Sequence, residues 1–202
     1  MFEVEVKIKL RDRDEFLDKI KDLGGKIEAR LQHTDVYYNA PKELRDFAET
    51  DEALRIRKNI EFQFDGEQNT NKIIKENADI TYKGPKLDSE TKSRVEHVCQ
   101  IRHSGKMDHI LLALGFRKII SIEKERQMFS LIFQDTSIDI TLDKIQHLEG
   151  DYAEFEIIIR NEEDMDRSKH LIFALMEKLG YSKSDSITVS YLELVLANLQ
   201  ST

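Results

Sequence analysis

The chain has 202 residues, 35% of them charged, with 31 Lys and Arg against 39 Asp and Glu for a formal net charge of −8. A hydrophobic share of 40% supports a packed core and excludes wholesale disorder, while the acidic balance argues against non-specific nucleic-acid binding. One cysteine excludes an intrachain disulfide, no apolar run approaches the roughly 18 residues of a membrane span, and the start MFEVEVKIKL lacks a signal core, so a soluble cytoplasmic protein is expected.

Phe2–Lys9 alternates apolar and charged residues at period two and predicts a strand. Asp14–Leu23 carries Phe16, Leu17, Ile20 and Leu23 at helical spacing and stops at Gly24-Gly25. Strands are predicted over Gln32–Tyr38 and Ala53–Ile60, then a lengthened hairpin loop over Glu61–Asn71 around Asp65-Gly66. Ile73–Lys83 and Arg94–Ile101 read as strands on either side of a mobile loop from Gly84-Pro85 through Lys92. A helix over Met107–Leu114 stops at Gly115. Strands follow at Ile119–Gln127, Met128–Gln134, Ser137–Leu142 and Ala153–Arg160. Helices over Met165–Leu179, again stopped by a glycine, and Thr188–Leu199 complete the chain. The order of charged strand, helix, Leu-Gly and strand occurs from residue 2 and again from residue 94, which favours one domain with one antiparallel sheet made of two similar halves.

The polar faces of these strands are unusually ordered. Glu3, Glu5 and Lys7 share a face, as do Arg55 and Arg57, Thr81 and Lys83, Arg94 and Glu96. So do Lys124 and Arg126, Asp139, Thr141 and Asp143, and Glu154 and Glu156. One such strand is ordinarily a solvated face with weak ion pairs. Seven of them, each apolar on its other side, suggest a closed barrel with a polar interior and amphipathic helices packed outside. Unpaired buried ions are costly, so the lumen must be wet or hold a compensating ligand. Lys7, Arg55, Arg57, Lys83, Arg94, Lys124 and Arg126 are cations able to grip phosphate oxygens. Glu3, Glu5, Glu96, Asp143, Glu154 and Glu156 are hard oxygen ligands suited to Mg²⁺ or Mn²⁺. Interleaved, they point to a polyphosphate with its metals.

Glu3-Val4-Glu5-Val6-Lys7 resembles the N-terminal ExExK motif of the CYTH superfamily, the triphosphate tunnel metalloenzymes, whose archetypes are class IV adenylyl cyclase and thiamine triphosphatase. QHTDVYY at Gln32–Tyr38, ALRIR, TYKGP, Arg94-x-Glu96, Lys124-x-Arg126, and Asp143 followed by Glu154-x-Glu156 come in that family's order over residues 2 to about 160. The resemblance implies an α+β fold of one domain, a closed eight-stranded antiparallel barrel followed by C-terminal helices over about 163–199. It implies that Glu3, Glu5, Glu154 and Glu156 face two Mg²⁺ or Mn²⁺ ions with Asp143 assisting. Lys7, Arg55, Arg57, Lys83, Lys124 and Arg126 would hold the phosphates, and Arg94 and Glu96 would line the tunnel. Lys7, Lys83 and Lys124 are the candidate catalytic residues.

The activity expected first is that of a class IV adenylyl cyclase, giving cyclic AMP and pyrophosphate from ATP. Tripolyphosphatase or thiamine triphosphatase is the alternative, and a non-catalytic polyphosphate or nucleotide binder is a reading of another class. Tyr37, Tyr38 and Phe47 are candidates for a base pocket, as well placed for core or rim. The six histidines, at no ligand spacing, and Cys99 are assigned no role. No nucleic-acid or membrane partner is expected, and a homodimer is an expectation from the resemblance.

Overall fold

The computed structural model describes residues 2–65, 68–86 and 94–201. Eight antiparallel strands run β1 (Phe2–Lys9), β2 (Lys26–Asn39), β3 (Ala53–Asp65), β4 (Gln68–Lys86), β5 (Arg94–Ile101), β6 (Arg117–Phe133), β7 (Thr136–Ile145) and β8 (Asp151–Ile159). They close into a barrel in the order β1-β5-β4-β3-β2-β6-β7-β8. Helix α1 (Arg13–Asp22) links β1 to β2, α2 (Ser104–Ala113) links β5 to β6, and α3 (Met165–Lys178) and α4 (Tyr191–Gln200) follow β8. No helix is long and apolar enough to cross a membrane.

The echo noticed in the sequence is a feature of the topology. Exchanging β1 with β5, β2 with β6, β3 with β7 and β4 with β8 reproduces the same circular strand order, so the barrel has two equivalent halves. Two corresponding strand pairs, β3–β4 and β7–β8, carry opposite charge. Arg55 and Arg57 on β3 and Lys83 on β4 correspond to Asp143 on β7 and Glu154 and Glu156 on β8.

Three helices end alike, because each needs one left-handed residue to leave the helix. Gly24, Gly115 and Gly180 have φ of 84°, 87° and 88°, and the next N–H returns to the carbonyl five residues back, Gly25 to Ile20, Phe116 to Leu111 and Tyr181 to Met176. A Cβ at these glycines would be strained. Helix α1 also starts as its sequence dictates, with the Asp12 carboxylate accepting from the N–H groups of Asp14 and Glu15.

The outward residues of β1, β6, β7 and β8 (Val6, Ile8, Leu131, Ile140, Phe155 among them) pack on α1 and α3 in the main core. Val36, Tyr38, Leu54, Ile56 and Tyr82 pack on α2. Helix α4 is the exception to the outside placement. Its Tyr191, Leu192 and Val195 pack on Ile120, Ile122, Ile145 and Tyr152, whose strand parity is that of the tunnel residues, so it closes one end of the barrel.

Two segments differ from the sequence reading. Ile119–Gln127 and Met128–Gln134 are one strand, because β2 and β7 both pair continuously along Gln127 and Met128 and no turn residue interrupts them. Most of Glu61–Asn71 is strand rather than loop: β3 continues to Asp65 and β4 starts at Gln68 as a bulged ladder, with residues 66 and 67 outside the described residues. Of the loop expected from Gly84 to Lys92, residues 84–86 end β4 and the rest lies outside the described residues.

Candidate active site

The ladders bring the charged faces together. Glu5 lies opposite Glu156, which lies opposite Asp139, and Lys7 lies opposite Glu154. Asp35 is opposite Arg57, Tyr37 opposite Arg55, Lys83 opposite Glu96, and Arg126 opposite Asp143. All the candidate cation and metal residues except Lys7 and Asp143 line one cavity of about 500 Å³. Those two are 0% exposed and stand behind its wall.

Charge is segregated around the tunnel. Glu3 and Glu5 on β1, Asp143 on β7 and Glu154 and Glu156 on β8 form an acidic wall on three adjacent strands. Lys83 on β4, Arg55 and Arg57 on β3, and Lys124 and Arg126 on β6 form the basic one, with Asp35 of β2 among them.

Each cation is held by a carboxylate or a carbonyl. Arg57 donates from Nε and Nη2 to the two Asp35 oxygens at 2.6 and 2.7 Å, and Arg55 lies 3.7 Å from the same carboxylate. Arg126 forks onto Asp143 at 2.7 and 2.5 Å and reaches Glu154 at 2.5 Å. Lys83 pairs with Glu96. Lys124 sits 3.8 Å from Asp143. Arg94 is occupied at the rim, donating to the Gly84 carbonyl at 3.2 Å and the Asp51 carbonyl at 3.4 Å, so it fastens the 46–54 segment to the barrel.

The electrostatics follow from burial and crowding. Burial raises the Glu3 carboxyl well above the carboxylate range; Lys83 opposes the rise, while Glu5, Glu156 and Glu96 add to it. Burial, with Glu5 and Glu154 nearby, pushes Glu156 up to about 7. Burial and Arg126 push the Lys124 ammonium down to about 7 although Asp143 opposes them. Burial would raise Asp35, but Arg57 and Arg55 outweigh it and hold the carboxyl below its usual range.

Buried carboxylates crowded on one wall are a hard-oxygen donor set, which suits a divalent cation such as Mg²⁺ or Mn²⁺. Glu3, Glu5 and Glu156 are the residues that fit it. Among the described residues no three acids stand together at metal-holding distance. Asp143 and Glu154, committed to Arg126, would join only by exchanging partners.

Three participants escaped the sequence reading. Asp35 and His33 share the inward parity of Tyr37 on β2, and His33 lies opposite Lys124. Burial and the charges of Arg57 and Lys124 keep the His33 imidazole neutral, far below its usual range, and its Nδ1 has no hydrogen-bond partner. Strand parity was the available signal for both. Tyr191 had none, because it belongs to the C-terminal helix. Its hydroxyl donates to Asp143 at 2.9 Å, and the Lys7 ammonium lies 3.9 Å from its ring centre. Lys7 also donates to the Val189 carbonyl at 2.7 Å, and the Ile187 N–H bonds the Lys7 carbonyl at 2.7 Å. The C-terminal segment thus adds a rung to the edge of β1, which among the described residues pairs with β5 at Phe2 and Glu3. Tyr191→Phe keeps the ring and drops the Asp143 hydrogen bond; a loss of about 1–2 kcal/mol is expected, read as a melting temperature lower by roughly 2–6 °C. An unchanged melting curve would contradict the contact.

Besides its charged residues the cavity is lined by apolar side chains, Phe47 and Leu54 together with Leu192 and Leu196 of α4, and by Tyr37 and Ile119. Phe47 also packs in the α2 core, while Tyr38 donates to Asp108 of α2 at 2.6 Å.

A family model described as the CYTH domain matches residues 1–191. The chain is 34% identical over 194 residues to the candidate adenylate cyclase MJ0240 of Methanocaldococcus jannaschii, covering 96% of this chain and 98% of that one. The solved PH1819 protein of Pyrococcus horikoshii OT3 is 31% identical, with a TM-score of 0.79 over 96% of this chain and 98% of its own. A more distant solved structure, 15% identical with a TM-score of 0.60 over 96% and 95% of the two chains, is the candidate adenylyl cyclase HpAC1 from Hippeastrum, described with a dominant triphosphatase activity.

Proposed function

The chain belongs to the CYTH domain family, and on that premise we propose that it is a divalent-metal-dependent enzyme that holds ATP in the tunnel and converts it to cyclic AMP and pyrophosphate, as in class IV adenylyl cyclase. The observation that carries this reading is that one cavity is lined both by the charge-divided cage and by an apolar set of side chains. A bare polyphosphate has no use for Phe47, Leu54, Leu192 and Leu196, whereas a nucleoside needs an apolar surface beside its phosphates.

In this reading Arg55, Arg57, Lys83 and Arg126 bind the phosphate oxygens and stabilise the charge that develops on the leaving pyrophosphate. Glu3, Glu5 and Glu156 hold the cations, which when bound neutralise phosphate charge and acidify the attacking hydroxyl. The ribose 3′ oxygen bonds to the α-phosphorus, the bond from that phosphorus to the bridging oxygen breaks, and the hydroxyl proton passes to Nζ of Lys124, whose titration near 7 suits a proton acceptor. Lys7, fixed by Val189 and Tyr191, orders the closed end of the tunnel behind the acids.

The second reading is hydrolysis of tripolyphosphate or thiamine triphosphate, in which water attacks instead. It is favoured by the cage itself, since its cations grip phosphates and are indifferent to the nucleophile, and by the activity described for HpAC1. Incubating the protein with Mg²⁺ or Mn²⁺ and ATP, and in parallel with tripolyphosphate, separates the two. Cyclic AMP and pyrophosphate in equal amounts are expected; orthophosphate without cyclic AMP would remove the cyclase assignment.

A further inference from the structure

A second cavity, of about 540 Å³, lies on the other side of the sheet from the tunnel. Its side chains have the opposite strand parity: Arg30 and Gln32 on β2, Glu125 and Gln127 on β6, Lys144 on β7, with Arg13 of α1 at one end. Arg126 borders both cavities, but its guanidinium is engaged inside by Asp143 and Glu154.

The donors here are only partly used. Arg13 is committed, to Asp151 at 3.1 Å and to the Gln127 amide oxygen at 3.2 Å. The Arg30 guanidinium lies 5.8 Å from the Phe62 ring centre, and its buried Nη1 has no hydrogen-bond partner. Lys144 is exposed and forms no ion pair among the described residues, although Glu125 and Asp151 are its cross-strand neighbours. A buried N–H left without an acceptor is unfavourable, and native proteins seldom keep one unless something completes it. Glu125 is the single carboxylate of the lining, so cations exceed acids there.

We propose that this groove is a binding site for a small phosphate-bearing anion, separate from the tunnel. The Arg30 guanidinium, the Lys144 ammonium and two amides offer the donors that phosphate oxygens accept. The apolar floor of Phe62 and Leu142 reduces the competition from water that an open surface would impose. The volume admits a phosphate, a pyrophosphate or a nucleotide monophosphate. The inference rests on neither reading of the tunnel reaction.

Titration calorimetry of the full chain with inorganic pyrophosphate, in the presence of EDTA, tests it. Wild type, Arg30→Gln/Lys144→Gln and Arg55→Gln/Arg57→Gln are compared. Expected is one binding event that survives the tunnel substitutions and is lost in the groove variant, whose turnover of triphosphate stays at the wild-type rate. Lys144→Gln alone, at an exposed position that leaves the fold intact, should weaken the event about tenfold. Repeating the titration with AMP and with inorganic phosphate identifies the source: equal affinity assigns the site to phosphate alone, and tighter AMP binding assigns it to a nucleotide. Absence of any event that survives Arg55→Gln/Arg57→Gln, or persistence of that surviving event when Arg30→Gln/Lys144→Gln is added to the tunnel variant, overturns the proposal.

Discussion

Glu156→Gln is expected to lower metal-dependent turnover on the order of 10³-fold, with Glu5→Ala equally damaging, while the barrel stays folded. Glu156 faces Glu5 directly across the β1–β8 ladder and Asp139 across the next one. Removing one carboxylate of this group takes away charge that a divalent cation must find there. The same crowding fixes how stability depends on pH. The Glu156 carboxyl titrates at about 7 in the folded chain against an ordinary 4.5, so between those values the folded state holds a proton that the unfolded state has released. Unfolding then releases protons, and this group makes the metal-free protein less stable as pH rises from about 4.5 to 7. Glu3 acts in the same direction. Lys124, pushed down to about 7, acts oppositely above that pH, and His33, held neutral far below its ordinary 6.5 by burial, acts oppositely below about 6.5. In thermal melts in EDTA the wild type should lose stability relative to Glu156→Gln as pH rises over the lower window, by on the order of 5 °C, and Mg²⁺ should restore it in the wild type. Equal slopes in the two proteins, or full turnover of both variants, would contradict the acidic wall.

Asp35→Ala should have the largest effect on stability. Its carboxylate takes a forked hydrogen bond from Arg57 and lies within 3.7 Å of Arg55, and all three side chains are largely buried. Removing it leaves two neighbouring guanidinium groups without their counter-charge in a low-dielectric wall, a change that costs about 3–5 kcal/mol when a buried pair is broken. The melting temperature should fall by roughly 10 °C. Added pyrophosphate should recover more stability in the variant than in the wild type, because the anion then supplies the missing charge. A fall that pyrophosphate does not repair would mean that Asp35 supports packing rather than the arginines.

The charged walls were legible because a strand has a strict period of two. Glu3, Glu5 and Lys7 cannot be divided between two faces, and neither can Lys124 and Arg126, so each strand declares its polar face locally. The glycine stops after Leu23, Leu114 and Leu179 were equally local, since leaving a helix through a left-handed residue is a property of the backbone. Asp35 was visible as an inward position but not as the partner of Arg57, because its value depends on which strand lies beside β2. The long β6 was divided in the sequence reading because neither Gln127 nor Met128 shows that two flanking strands run past them.

By itself, then, the sequence determined which residues share a face and where the helices stop, and the order of its charged motifs announced the family. Only the tertiary structure decided that opposite charges occupy opposite walls, that Arg94 fastens the rim, and that α4 closes the tunnel with Tyr191 against Lys7 and Asp143. The physical reason is range: backbone periodicity is set by adjacent residues, whereas pairing of charges and the surface an apolar stripe covers are set by contacts between distant ones, 182 residues apart for Lys7 and Val189.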